Sequence, residues 1–420
     1  MPHVQATGSG SPVSLVLDYR KTGKVPLNVL VGSLEADPEL SDTPVVFETR
    51  DLARAVEARL AAGDERVLVA WSFYSPEFQK QVGALGRIRE QIADPRVLHV
   101  AGGVHATAEP RATLAAGFDL VATGEGEETI RALVRALRKG EDPRQVKGIA
   151  MRAEPVRLDD FPPFAQKHNR LGPIEITRGC IYACRFCQTP SMNKARFRHR
   201  SLENVRHWVE LLARRGFRDY RFISPTSFSY GTSSTEPDLG AIESLLAMVR
   251  GIVGPEARVF YGTFPSEIRP EHVTREALAI LRRFVTNRSI IIGGQSGSER
   301  ILEESRRGHG VPEIERAVRI AKEEGFEPHV DFILGMPGET PDDARATLAL
   351  MERLATLGAR VHGHTFMPLP GTPWRDEAPG MVPLETRRRL DALAARGSLY
   401  GQWKTQSRVA ADLARLRGAH

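Results

Sequence analysis

The residues best placed to do chemistry are Cys180, Cys184 and Cys187, in the stretch Arg178-Gly179-Cys180-Ile181-Tyr182-Ala183-Cys184-Arg185-Phe186-Cys187. They are the three cysteines of a 420-residue chain, and their spacing is C-x3-C-x2-C. Thiolates bind soft metals and iron–sulfur clusters, and a [4Fe–4S] cluster normally takes four of them. Three thiolates leave one iron open, and catalytic metal sites use an open position to hold substrate or cofactor. Three cysteines with His168 or His199 also make a zinc ligand set, although zinc modules usually pair two C-x2-C units and only one is present. Thiols without a role are the remaining alternative. His362 and His364 flank Gly363 and so share one face of a strand. A hydrogen-bonded structural role is the first expectation for this pair, and substrate binding or proton transfer the second.

Such residues need rigid elements to hold them. At 41% apolar and 26% charged, the chain has an ordinary globular composition and the length for two or three domains. No run of 18 apolar residues offers a membrane span. Residues 1–12 are small and polar, which reads as a disordered lead-in and not a secretory signal. Free cysteines in a metal-type cluster fit a reducing cytoplasm. The net charge of +6 allows an anionic substrate. Much of the excess is arginine on helical patterns, where a solvated face is the default, so nucleic-acid binding is not expected.

Over residues 13–140, short apolar runs at 13–17, 44–47, 66–70, 97–101 and 120–122 alternate with helical patterns such as 51–62 and 76–92. This predicts an α/β fold with a doubly wound parallel sheet. Ligands of such sheets sit at the carboxyl ends of strands, here the loops 18–23, 72–74 and 102–107. The segment 124–129 should open a helix, its acidic residues meeting the helix dipole. A proline-rich linker spans 141–170, with a short strand at 149–152. Over 171–375, strand candidates at 174–177, 220–223, 259–263, 289–292, 330–334 and 361–366 alternate again with helices. Residues 376–420 read as a helical extension, with basic amphipathic helices at 384–396 and 406–417 that pack against the rest.

The cysteine spacing, with Phe186 as the aromatic before the third cysteine, resembles the radical S-adenosylmethionine (radical SAM) superfamily. The resemblance implies a partial (β/α)6 barrel with active residues at the carboxyl ends of its strands. It implies a [4Fe–4S] cluster on Cys180, Cys184 and Cys187, whose open iron chelates the amino and carboxylate groups of S-adenosylmethionine (SAM). Reductive cleavage of SAM then gives a 5′-deoxyadenosyl radical, with the electron drawn from an external donor of flavodoxin or ferredoxin type. By the same resemblance, Gln295 and Ser296 contact SAM's ribose and carboxylate, and Gly335 lies in the adenine-contacting segment. Ser224 stands where the family often holds SAM's amino group with Gly-Gly-Glu. Glu267 and Arg269 either face the site or form a surface ion pair.

Asp18 and Gly23, then Ser72, then Gly102 and Gly103 resemble, in order and spacing, the cobalamin-binding domain, whose fingerprint is D-x-H-x-x-G, S-x-L and G-G. Arg20 stands where the cobalt-ligating histidine would be, and Tyr74 where the leucine would be. A guanidinium has no lone pair for a metal, so the resemblance implies cobalamin without a lower ligand from Arg20. The alternative is a remnant domain that holds no corrin. Together the two resemblances imply a cobalamin-dependent radical SAM enzyme, a methyltransferase acting on an unactivated carbon of a small-molecule, lipid or peptide substrate. A non-methylating rearrangement or cyclisation, and a non-catalytic corrin- or cluster-binding module, are the rival readings. Methylthiotransferases have similar core loops, but they use a second cluster on three further cysteines, and none remain here.

Overall fold

The computed structural model describes residues 12–417 and forms two compact units that meet in sequence at Gly172 and Pro173. The expected lead-in lies outside the described residues except for Pro12, whose carbonyl accepts from Glu65 N–H at 2.9 Å.

The first unit is built on β1 (Val13–Asp18), β2 (Val45–Glu48), β3 (Arg66–Ser72), β4 (Val97–Gly102) and β5 (Leu120–Val121). They form one parallel sheet in the order β2-β1-β3-β4-β5. Successive side chains of a strand point to opposite faces, so an apolar run buries both. Val13, Leu15 and Leu17 of β1 enter one core with Leu27, Val31 and Leu34. Val16 enters the other with Val69, Trp71 and Val56. The order reverses beside β1, which places a ligand crevice at the carboxyl ends of β1 and β3.

The helix Leu52–Ala61 starts where expected, its Asp51 cap accepting from Arg54 N–H at 3.0 Å. The helix Lys24–Glu35 was not anticipated, because valines and Gly32 dilute its helical pattern. Gly32 is needed for packing: a Cβ there would meet the Phe164 carbonyl oxygen at 2.5 Å. The stretch 102–107, expected as a loop, is helical from Gly103 to Ala108. The stretch 141–170 is part of this unit and not a free linker. The Glu35 carboxylate holds it, accepting from Lys167 N–H at 2.9 Å, His168 N–H at 3.0 Å and His168 Nδ1 at 2.7 Å. Residues 149–152 form turns and bends, not a strand.

The second unit opens with β6 (Ile174–Glu175), β7 (Thr177–Arg178) and β8 (Arg198–His199), followed by β9 (Asp219–Ile223) and β10 (Arg258–Phe260). Then come β11 (Ser289–Gln295), β12 (Glu327–Leu334), β13 (Arg360–Thr365) and β14 (Leu399–Tyr400). The single strand expected at 174–177 is split at Ile176. Its N–H bonds Ile223 of β9 at 2.9 Å, while its carbonyl accepts from Arg200 N–H beside β8. β6, β9 and β10 form one parallel sheet and β11 to β14 another. Ile268 bridges to Ile292 and joins the two into one arc, a partial barrel. β12 shows the arc's two sides: Val330, Phe332 and Leu334 are buried under helices, while His329, Asp331 and Ile333 line the half-open interior.

β14 is a further unanticipated element. The expected tail helices exist as Leu384–Ala395 and Trp403–Arg417, but between them the chain adds a seventh strand to the arc. Among the described residues, no helix is long and apolar enough to cross a membrane. The helix arginines are largely spent on acids, as in Arg138–Asp42 at 2.8 Å and Arg353–Glu315 at 2.9 Å.

Candidate active site

The cysteine loop leaves β7 through Gly179, whose φ is +84°. A Cβ there would sit 2.1 Å from the Arg196 carbonyl oxygen, so this turn accepts only glycine. The loop tightens further through Ala183, at φ +53°, and a bond from Cys187 N–H to the Cys184 carbonyl at 3.1 Å. Cys184 is buried and the other two thiols are half-buried. Burial pushes the Cys180 thiol up to about 12, and the neighbouring Cys184 and Cys187 push it the same way. The Cys187 thiol is raised for the same reasons. Three sulfurs on one tight loop, two of them disfavoured as bare thiolates, fit the iron of a cluster, whose positive charge would stabilise them.

Zinc with a fourth histidine ligand fits poorly. His199 spends both ring nitrogens, on Thr177 Oγ1 at 3.0 Å and the Thr232 carbonyl at 2.8 Å, and His168 is engaged by Glu35. Phe186 anchors the loop in an apolar cluster with Ile301, Met336, Phe366 and Trp374. Arg307, 4% exposed, reaches the loop from behind. It donates to Cys184 Sγ at 3.5 Å, to the Gly293 carbonyl at 2.6 Å and to His309 Nε2 at 3.1 Å. Burial and the adjacent guanidinium keep His309 neutral, far below the usual histidine range. Nothing in the sequence marked Arg307, which lies 120 positions from the cysteines and belongs to no motif.

The strand ends meet the other expectations unevenly. Gln295, at φ +73° after a bulge in β11, donates to Glu267 Oε2 at 3.4 Å. Burial raises the Glu267 carboxyl, partly offset by Arg307 at 3.9 Å. Arg269 is 2% exposed and lies 3.6 Å over the Tyr182 ring, so the surface-ion-pair reading of Glu267 and Arg269 is wrong. The Ser296 hydroxyl is fully buried and turned away, paired with Thr347 Oγ1 at 3.2 Å. The Ser224 hydroxyl donates to the Thr226 carbonyl at 3.0 Å and its N–H to Ser266 Oγ at 2.9 Å, which leaves the hydroxyl lone pairs and the carbonyl as acceptors for a ligand. Beside it, Thr226 Oγ1 is buried without a partner. Gly335, at φ +68°, is required by the chain itself, since a Cβ would meet Met381 N at 2.6 Å.

In the first unit the fingerprint residues converge on the carboxyl ends of β1, β3 and β4. A Cβ on Gly23 would lie 2.9 Å from the Ser72 carbonyl oxygen, and one on Gly103, at φ +88°, 3.0 Å from Ser72 Oγ. Gly102 pairs with Ser72 across β3 and β4. Asp18 is buried and accepts from Arg20 Nε at 2.7 Å. Burial raises its carboxyl, and Arg20 works against that rise. Tyr74 is exposed.

Residues 174–351 match the model of the Radical SAM superfamily. That match spans most of the second unit. The chain as a whole has the fold of cobalamin-dependent radical SAM enzymes. It is similar to the radical SAM methyltransferase TsrM from Kitasatospora setae, solved with cobalamin and a [4Fe–4S] cluster (TM-score 0.66, 19% identity, 88% of this chain and 74% of that one). It is also similar to the cobalamin-dependent enzyme OxsB (TM-score 0.63, 18% identity, 82% of this chain and 52% of that one). By sequence the chain is 28% identical to a tRNA-2-methylthio-N(6)-dimethylallyladenosine synthase of Thiobacillus denitrificans, over 77% of this chain and 72% of the relative.

Proposed function

We propose that this protein is a cobalamin-dependent radical SAM methyltransferase acting on an unactivated carbon of a small molecule, lipid or peptide. The observation that carries the reading is the pairing, in one chain, of a three-thiol loop with a parallel sheet whose β1, β3 and β4 ends form a glycine-lined cradle. When bound, a [4Fe–4S] cluster with SAM supplies a 5′-deoxyadenosyl radical, and a corrin supplies a transferable methyl group. Cys180, Cys184 and Cys187 hold the cluster, and Arg307 lays an N–H against Cys184. Gln295 and Glu267 offer an amide and a carboxylate at the mouth, suited to the amino and hydroxyl groups of SAM. Gly23, Ser72, Gly102 and Gly103 let the corrin tail approach backbone, and Arg20, tied to Asp18, gives the metal no lone pair. An oxygen-sensitive cluster and an external one-electron donor suit a reducing cytoplasm.

The tRNA substrate named for the Thiobacillus relative is not carried over, because methylthio transfer draws on a second cluster and the chain has no further cysteines. The test is anaerobic reconstitution with iron, sulfide and hydroxocobalamin. About four irons and one corrin per chain are expected. Dithionite should then release 5′-deoxyadenosine from SAM, and serine at the three cysteine positions should abolish that release. S-Adenosylhomocysteine formed alongside supports methylation, and substrate turnover without it rejects methylation while sparing the radical class. A chain that leaves SAM intact ends the enzyme reading.

A further inference from the structure

The barrel interior carries a second set of metal-type ligands. Asp331 lies on β12, and His362 and His364 on β13, all facing the half-open side of the arc. One ligand atom from each falls within 4.8 Å of the other two. Asp331 Oδ1 is 3.0 Å from His362 Nδ1, and His362 Nδ1 is 3.2 Å from His364 Nε2. Ligand atoms about 2 Å from a common ion lie roughly 3 to 3.4 Å apart, so these spacings suit one shared cation.

The hydrogen count points the same way. Thr365 N–H donates to Gln406 Oε1 at 3.0 Å, which turns the Gln406 amino group to His364 Nδ1 at 3.2 Å. The His364 proton is then on Nε2 and points at His362 Nδ1, which must accept it. That same nitrogen also faces the Asp331 carboxylate, so two acceptors stand in contact with no hydrogen between them. The cluster by itself is one positive charge short. Its surroundings are built to hold the rings still. Tyr400 of β14 stacks on His362 at 4.5 Å and 7°, and its hydroxyl meets His329 Nδ1 at 2.7 Å.

We propose that Asp331, His362 and His364 bind one first-row divalent cation inside the barrel, as a two-histidine, one-carboxylate site with open positions for a substrate oxygen or nitrogen. Imidazole and carboxylate suit zinc, iron, manganese or nickel, and three protein ligands are the number found where a metal works on a ligand. Ligation through His364 Nε2 moves that ring's proton to Nδ1, so the Gln406 carboxamide must turn over to accept it. At about 3.3 Å per residue, Asp331 is some 13 Å along β12 from Gly335 at the strand's carboxyl end. None of the three ligands is a cysteine, so this set shares no ligand with the thiol loop.

The probe is zinc, measured by mass spectrometry on full-length chain after anaerobic cluster reconstitution and gel filtration. The same measurement on a Cys180→Ala, Cys184→Ala, Cys187→Ala variant excludes zinc held by vacant thiols. About one zinc per chain is expected in both, with affinity falling more than roughly tenfold in Asp331→Asn and in His364→Gln. Both changes are close in size, and an unchanged circular dichroism melt identifies folded variants. Gln406→Glu, which supplies the acceptor that ligated His364 needs, should tighten binding. Zinc that persists unchanged in folded Asp331→Asn and His364→Gln, or no zinc in the triple-alanine chain, overturns the proposal.

Discussion

Glu339 follows β12 in the loop Gly335-Met336-Pro337-Gly338-Glu339. Burial pushes its carboxyl up to about 7, although it accepts from Gly335 N–H at 2.7 Å, and Oε1 has no partner. The folded form therefore keeps a proton that the unfolded chain releases near the ordinary glutamate value. Stability should fall as pH rises from about 4.5 to about 7 and then level off, by on the order of 2–3 kcal/mol. Glu339→Gln should flatten that slope and raise the melting temperature above pH 7, as read by thermal melts across pH 4.5–8. Arg307 gives the second residue-scale prediction. A guanidinium 3.5 Å from Cys184 Sγ stabilises the electron that a cluster gains on reduction. Arg307→Gln should lower the cluster potential by about 60 mV, a tenfold smaller reduced fraction, in an EPR-monitored redox titration. Arg307→Lys should lose less. The cysteines announce themselves by spacing, whereas Arg307 acquires its role only when the turn after Glu304 is folded against the loop, through Arg185 N–H to the Ser305 carbonyl.

The short β7–β8 pair and its turn make up the element that aims the thiols. Gly179 is locked by its φ and by the Arg196 carbonyl, so Gly179→Ala must displace the loop. Iron content after reconstitution should drop several-fold, roughly, while far-ultraviolet circular dichroism stays unchanged. Most strands were legible because their apolar runs are buried on both faces, as in β1 and β3, or alternate, as in β12. The misses have physical causes. β10 ends early because the Asn287 side chain takes over pairing at Tyr261, accepting from its N–H and donating to its carbonyl, both at 3.1 Å. Leu399-Tyr400 is too short to show any period, and only its pairing with Val361 and His362 makes it a strand. The family resemblance of the stretch after β11 implied a mouth role for Ser296. The bulge at Gly293 and Gln295 instead turns its hydroxyl to Thr347.

On the scale of the molecule, two units with separate cores carry the glycine-lined sheet ends in one and the three thiols in the other. Loading should therefore be independent. The triple-alanine cysteine variant is expected to retain cobalamin at the wild-type ratio after gel filtration. Gly103→Val, whose side chain would collide with Ser72 and Phe73, should lose corrin and keep its iron. The division into a doubly wound sheet followed by a βα arc could be read from the chain, since alternation of apolar runs and helical patterns survives over long windows. Where 141–170 belongs could not, because that depends on Glu35, more than 130 positions away, gathering its N–H groups. β14 has a consequence for the order of events at the ribosome. β13 emerges first and presents a bare hydrogen-bonding edge until Tyr400 follows and Gly401 slots against the Gly363 carbonyl. The nascent protein thus passes through an interval in which its barrel has an open strand edge and its histidine cluster lacks the Tyr400 wall.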